Sequence, residues 1–334
     1  MPKMSSEPTT HNKRTTLHGP TMGTRWSITF DADNATDSQA LRQDLAAAVG
    51  QVDEQMSPWK PDSDLMRFNR TPIDEWVDMP TEILEVLDCA LEIQHQSAGA
   101  FNPCAGALVD AWGFGAVRDA PDPQAIHAAN ESTPTLAHGC LEIDKPSGRA
   151  RKRADLKLDL CGIAKGYAVD RMAQVLQLHG VLHALAALDG ELRAVGAQIS
   201  GEPWAVALEH PEPGHRTVHG VIELEDLAVA TSGDYRRYME VGGVRLAHTM
   251  DARHRAPVRN AMASVTVLAR TCMQADAWAT ALLVAGPEDG LAIAQRMGMD
   301  VMFLIRRARG LTEVGLGRFG RRGDHTPSKR HIPG

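Results

Sequence analysis

No run of about 18 apolar residues occurs anywhere in the 334-residue chain, so no membrane-spanning helix is expected. Cysteine is sparse and unpatterned. Cys89, Cys104, Cys140, Cys161 and Cys272 are scattered, odd in number, and never in a CxxC or Cys/His zinc spacing. This argues against a disulfide framework or a structural zinc, and reduced thiols in a cytoplasmic protein are the simplest expectation. The opening residues Met-Pro-Lys-Met-Ser-Ser-Glu-Pro-Thr-Thr-His hold no apolar h-region and no cysteine to carry a lipid, so export is not expected either. Positive charge is not in excess. A net charge of −7 is not that of a nucleic-acid binder, which would carry a basic face. No internal repeat is visible.

What remains is 43% hydrophobic and 23% charged residues, the composition of a globular protein. At this length two lobes are expected, and the substrate is a small molecule or a protein. Residues 1–16 and the Arg/Gly-rich tail 306–334 read as flexible ends. Thr24, Trp26, Ile28 and Phe30 alternate as a first strand. Asp37 or Ser38 can cap a helix carrying Leu41, Leu45, Val49, Val52 and Met56. Residues 116–150 look least regular, and Leu185 to Val195 reads as one strand bent at Gly190. A helix from about Met273 ends at Gly286-Pro287, with another over 288–297.

The most informative stretch is Asp155-Leu-Lys-Leu-Asp-Leu-Cys-Gly-Ile-Ala-Lys-Gly-Tyr-Ala-Val-Asp-Arg171. Leu156, Leu158 and Leu160 alternate with Lys157 and Asp159, a period of two. From Ile163 the apolar spacing becomes helical, through Tyr167, Met172, Val175 and Leu176. An extended segment feeding a helix N-terminus offers unpaired N–H groups and a positive dipole end, suited to a phosphate. Lys165 adds a positive charge in the first turn. An ordinary strand–helix junction is the alternative.

Other positions are ambiguous singly. Asp276 and Thr280 share a helix face and offer oxygen-only ligation suited to Mg²⁺, or are merely solvated. His248, Asp251 and His254 could hold a transition metal, place His248 as a general base, or lie in a surface loop. Trp59, between two prolines, could stack on a planar ring or pack on a loop. Cys161 at a helix N-terminus is a nucleophile candidate without an evident partner.

Seven motifs in order decide between these readings: Met22-Gly-Thr24, Met56-Ser-Pro-Trp-Lys-Pro-Asp-Ser-Asp-Leu-Met-Arg-Phe-Asn69, Gly99-Ala-Phe-Asn-Pro103 with Trp112-Gly-Phe-Gly115, Leu158 to Asp170, Ala230-Thr-Ser-Gly-Asp-Tyr235, His248-Thr-Met-Asp251 and Ala275-Asp-Ala-Trp-Ala-Thr-Ala281. Over about 17–305 the chain resembles the ApbE-like FAD:protein FMN transferases. The resemblance implies a mixed α+β (α/β) fold with antiparallel-rich sheets and flanking helices in two intertwined lobes, a T-fold-like architecture. It implies FAD as substrate, Mg²⁺ as cofactor, and transfer of FMN to a Thr or Ser hydroxyl of an acceptor flavoprotein, with release of AMP. Carried over by matching position, the metal site is the Ala164 carbonyl, Asp276 and Thr280, with Ala279 nearby. The flavin pocket is Met22, Trp59, Ala100, Phe101, Asn102, Cys161, Tyr167 and Met250, with Lys165 near the phosphates. His248, with Asp276, is the catalytic candidate, taking the acceptor's proton. A homodimer is compatible with the resemblance.

The chain departs from the family pattern at several of these sites. Trp59 stands for Tyr, Asn102 for Asp, and Cys104 and Cys161 for Thr and Ser. Asp189 replaces a glycine, which points to a backbone conformation that glycine prefers. Asp251-Ala-Arg-His-Arg-Ala-Pro257 has lost the family's Pro and Gly. An FAD pyrophosphatase, with water as acceptor, and a non-catalytic FAD-binding protein are the alternative functions.

Overall fold

The structure, a computed structural model, describes residues 13–32, 36–212, 217–235 and 238–320. Its frame is an eight-stranded, fully antiparallel sheet in the order β1 (Lys13–Thr21), β2 (Thr24–Ala32), β6 (Ala184–Leu188), β7 (Glu191–Val195), β10 (Ala228–Gly233), β15 (Met262–Ala269), β16 (Asp300–Arg307) and β17 (Gly310–Leu316). A three-stranded sheet joins β3 (Val77–Asp78), β5 (Arg149–Lys152) and β4 (Leu141–Asp144). Three hairpins complete the β-structure: β8 (Trp204–Glu209) with β9 (Val218–Leu224), β11 (Tyr238–Val241) with β12 (Val244–Ala247), and β13 (Met250–Asp251) with β14 (Ala256–Pro257). The helices are α1 (Ser38–Met56), α2 (Asp64–Arg70), α3 (Thr81–Gln96), α4 (Gly106–Ala111), α5 (Pro123–Ser132), α6 (Ala164–Leu178) and α7 (Cys272–Arg296).

The period of two along the strands builds two layers from one sheet. On β16, Val301, Phe303 and Ile305 join the main core with α1, α3, α6 and α7. Met302 and Leu304 face the other way, against Trp204, Val206 and Leu208 of the β8–β9 hairpin. The main core continues through Leu65 and Phe68 of α2 to Val77, Leu141 and Ala150 of the small sheet, so the expected lobes share one core. The helix over 38–56 is capped as expected: Asp37 accepts from the Gln39 and Ala40 amides at 3.0 and 3.1 Å.

Several expectations are corrected. The strand at Thr24 is the second, because β1 is an edge strand of largely polar residues in which Leu17 packs on the main core. Both ends expected to be flexible contribute strands, β1 from Lys13 and β17 over 310–316; the remainder of each, 1–12 and 321–334, lies outside the described residues. Within 116–150, Asp122 caps α5 with Pro123 at its start, and β4 and β5 follow. The stretch 185–195 is a hairpin, not one bent strand, and Asp189 in its turn has φ +56°. The helix expected from about Met273 does break at Gly286 (φ +82°, ψ −178°), and the second helical stretch runs on to Arg296, so α7 is two helices joined at a kink, as the sequence predicts.

The 156–160 segment buries Leu156, Leu158 and Leu160 as the alternation predicts, yet it belongs to none of the named strands. An isolated parallel bridge joins Lys157 to Ala105. The side chain of Asn69 takes the place of a neighbouring strand, donating to the Leu158 carbonyl at 2.9 Å and accepting from its amide at 2.7 Å.

Candidate active site

A cleft of about 790 Å³ opens where the β1–β2 turn, the α1–α2 loop, the 100–102 turn, the start of α6, the β6–β7 turn and the 248–250 segment converge on α7. It is lined by Met22, Trp59, Ala100, Phe101, Asn102, Cys161, Ala164, Lys165, His248, Met250, Asp276 and Thr280, drawn from positions up to 258 residues apart. Two expected residues are elsewhere. Tyr167 lies a turn further along α6, buried in the main core, where its hydroxyl donates to Glu85 at 3.1 Å. Ala279 is fully buried in the same core, adjoining Thr280 without facing the cleft.

Helix α6 starts without a side-chain cap of its own, since Ile163 occupies the N-cap. Its Gly166 amide instead donates to Asp276 Oδ2 across the helix pair, at 3.0 Å. Two glycines permit this approach. A β-carbon at Gly166 would collide with the Cys272 carbonyl and lie 2.8 Å from Asp276 Cβ, and one at Gly162 would sit 3.2 Å from Thr280 Oγ1 and 3.3 Å from Phe101. Thr280 Oγ1 is also 3.0 Å from Ser232 Oγ at the end of β10.

Charge is concentrated here. Lys165 donates to the buried Glu191 at 2.7 Å and has Asp189 at 3.6 Å. Burial opposes the ammonium, but Glu191, Asp276 and Asp189 outweigh it and hold Lys165 protonated. Burial, reinforced by the negative charge of Glu191, pushes the Asp276 carboxyl up to about 7 against the pull of Lys165 and the Gly166 amide. Burial likewise raises Glu191, with Lys165 opposing. A cation bridging this group would relieve the desolvated carboxylates.

The donor chemistry fits Mg²⁺. A carboxylate, a hydroxyl and the Ala164 carbonyl are hard oxygen donors, and Ala164, Asp276 and Thr280 all line the cleft. A His/Cys cluster is not an alternative, for among the described residues no three or more His, Cys, Asp or Glu side chains group as a metal site. The run 248–254 divides: His248 faces the cleft, whereas the exposed His254 pairs with Asp251 at 2.8 Å. Burial raises the Asp251 carboxyl, but Arg253 and His254 outweigh it and hold it below the usual carboxylate range.

The departures acquire structural reasons. Asn102 donates through its amide nitrogen to the Pro134 and Thr135 carbonyls, at 2.9 and 3.2 Å, and accepts from the Cys104 amide at 2.8 Å. A carboxylate could make the last bond but neither of the first two. Cys104 is buried and its thiol pushed up to about 12 by desolvation, so it is not a nucleophile. Cys161 stays exposed at the cleft, its amide donating to Asp159 at 2.8 Å. Asn69, Asp170, Glu191 and Ser232 also shape the site, although sequence reasoning assigned none of them a role. Three stand inside or at the end of the quoted motifs, but their partners lie far away in the chain.

The model of the ApbE family matches residues 22–303. The FAD:protein FMN transferase of Vibrio cholerae is 36% identical over 311 residues, 91% of each chain. That of Klebsiella pneumoniae is 33% identical over 302 residues, covering 89% of this chain and 85% of its own. The solved flavin transferase ApbE from Vibrio cholerae superposes with a TM-score of 0.84 at 34% identity, over 92% of this chain and 98% of that one. The apo flavinyl transferase ApbE of Pseudomonas stutzeri gives 0.82 at 34% identity with the same coverage. The chain belongs to the ApbE family.

Proposed function

We propose that this protein is an Mg²⁺-dependent FAD:protein FMN transferase acting on a threonine or serine hydroxyl of an acceptor flavoprotein. The observation that carries the reading is the meeting, in one cleft, of apolar and aromatic walls, a helix N-terminus with Lys165, and the Asp276–Thr280 oxygen pair. Met22, Phe101, Met250 and Trp59 suit the flavin ring. The start of α6 and Lys165 suit the pyrophosphate. Asp276, Thr280 and the Ala164 carbonyl would hold Mg²⁺, which when bound supplies charge neutralisation on the pyrophosphate oxygens.

In the reaction the acceptor oxygen bonds to the phosphorus of the FMN half, and the bond from that phosphorus to the bridging oxygen breaks. AMP leaves with the electron pair. His248 receives the hydroxyl proton. The residues of this chain therefore contribute placement and electrostatics more than covalent chemistry. The setting we infer is cytoplasmic, where thiols stay reduced, and none of the five cysteines forms a disulfide; among the described residues no helix is long and apolar enough to cross a membrane.

The test is incubation with FAD, Mg²⁺ and a flavoprotein bearing a threonine acceptor. Flavin fluorescence that stays on the denatured acceptor supports transfer. Free FMN and AMP with an unmodified acceptor would mark a hydrolase, and bound but intact FAD a binding protein.

A further inference from the structure

We propose that Asp170 is a positioning residue for the divalent cation of this reaction, acting by fixing α6 against α7. The inference rests on the Mg²⁺-dependent reading above and adds a residue that touches neither substrate nor cation.

Asp170 is buried on α6, yet it serves α7. Its Oδ1 accepts from the Cys272 amide at 2.9 Å and its Oδ2 from the Met273 amide at 2.9 Å. The Gln274 amide goes to Thr271 Oγ1 and the Ala275 amide to the Thr271 carbonyl. All four opening amides of α7 are thus satisfied, two of them by another helix. A buried carboxylate is costly unless compensated. Here Arg193 on β7 compensates, donating to Oδ1 at 2.5 Å, together with the positive end of α7.

The arrangement is reciprocal. Asp170 of α6 caps α7, while Asp276 of α7 accepts from Gly166 of α6. Gly166 and Asp170 are four apart on one helix, as Cys272 and Asp276 are on the other, so each pair shares a face. Ala164 on α6 and Thr280 on α7 line the cleft together with Asp276, and the close approach at Gly166 leaves no slack between the helices. Removing the Asp170 rung lets α7 shift against α6 and pulls the two halves of the oxygen site apart.

The test measures binding of Mn²⁺ by the paramagnetic signal of the free ion, alongside thermal melting and riboflavin fluorescence quenching. Asp170→Asn should weaken Mn²⁺ binding about ten-fold, the lower end of what an outer-shell residue contributes, with riboflavin affinity unchanged. Arg193→Gln should shift Mn²⁺ binding in the same direction by less. Thr271→Ala, which removes only α7's own cap, should lower the melting temperature without changing Mn²⁺ affinity. Unchanged Mn²⁺ affinity in Asp170→Asn, or in Arg193→Gln should Asp170→Asn not fold, would overturn the role of Asp170. So would riboflavin and Mn²⁺ affinities falling together. Failure of the unmodified protein to bind Mn²⁺ would instead remove the cation from the proposed reaction.

Discussion

The side-chain amide of Asn69 holds the backbone of Leu158 by two hydrogen bonds, 2.9 Å to its carbonyl and 2.7 Å from its amide. Two bonds of this kind imitate one rung of a β-ladder, and they explain a strand-like alternation outside the named strands. The Gly106 amide to Lys157 and the Asp159 amide to Pro103 hold the segment from its other side. Asn69→Ala would orphan both Leu158 groups and should lower unfolding free energy by about 2–3 kcal/mol, read by denaturant titration. Flavin binding should weaken as well, since Leu158 leads directly into the cleft residue Cys161.

Asn102 gives a prediction of opposite intuition, because restoring the family's Asp should do harm. In Asn102→Asp, a carboxylate would face the Pro134 and Thr135 carbonyls that the amide now satisfies. A loss of about 1–3 kcal/mol is expected, measured by thermal or denaturant unfolding. A gain in stability would show that the 133–135 loop does not depend on Asn102.

The Asp276 carboxyl sits at about 7 in the folded protein against an ordinary 3.8. Between those values the folded state binds a proton that the unfolded state does not. Without divalent cations, its stabilising contribution is therefore complete below 3.8 and lost as pH rises through about 7. Asp276→Asn should flatten that decline in melting temperature. Because the cation needs the carboxylate, Mg²⁺ affinity should fall as pH drops below about 7, which calorimetry at several pH values would show.

Arg255 occupies φ +56° where the family pattern has glycine, and its side chain is exposed. The left-handed conformation costs a non-glycine residue about 1–2 kcal/mol, while glycine loses about 0.5–1 kcal/mol of extra chain entropy on folding. Arg255→Gly should therefore be neutral to stabilising by about 1 kcal/mol. A clearly lower melting temperature would mean that the Arg255 side chain has a stabilising contact.

The sequence was most legible where physics is local. The Asp37 cap, the apolar stripe of α1 and the break at Gly286 follow from nearest neighbours in the chain, and the structure has all three. The mixed α+β class with antiparallel sheets was legible through the ordered motifs, as were twelve residues that share the cleft. Less legible was anything whose reason lies across the fold. Tyr167 fits the helical stripe equally well facing flavin or core, and only the presence of Glu85 on α3 decides it. Asp170 reads as a polar residue on a helix until the start of α7, 102 residues on, meets it. β1 carries little apolar signal because an edge strand needs little.

The proposed transfer joins flavin phosphate to a protein hydroxyl in one cleft, at a divided oxygen site. Its most direct test counts AMP released against flavin covalently attached to a threonine-bearing acceptor, for the unmodified protein and for Asp276→Ala, with Mg²⁺ present. One AMP per flavin attached is expected, and no attachment above background in Asp276→Ala. Equal attachment by Asp276→Ala, or AMP released while the acceptor stays unmodified, would contradict it.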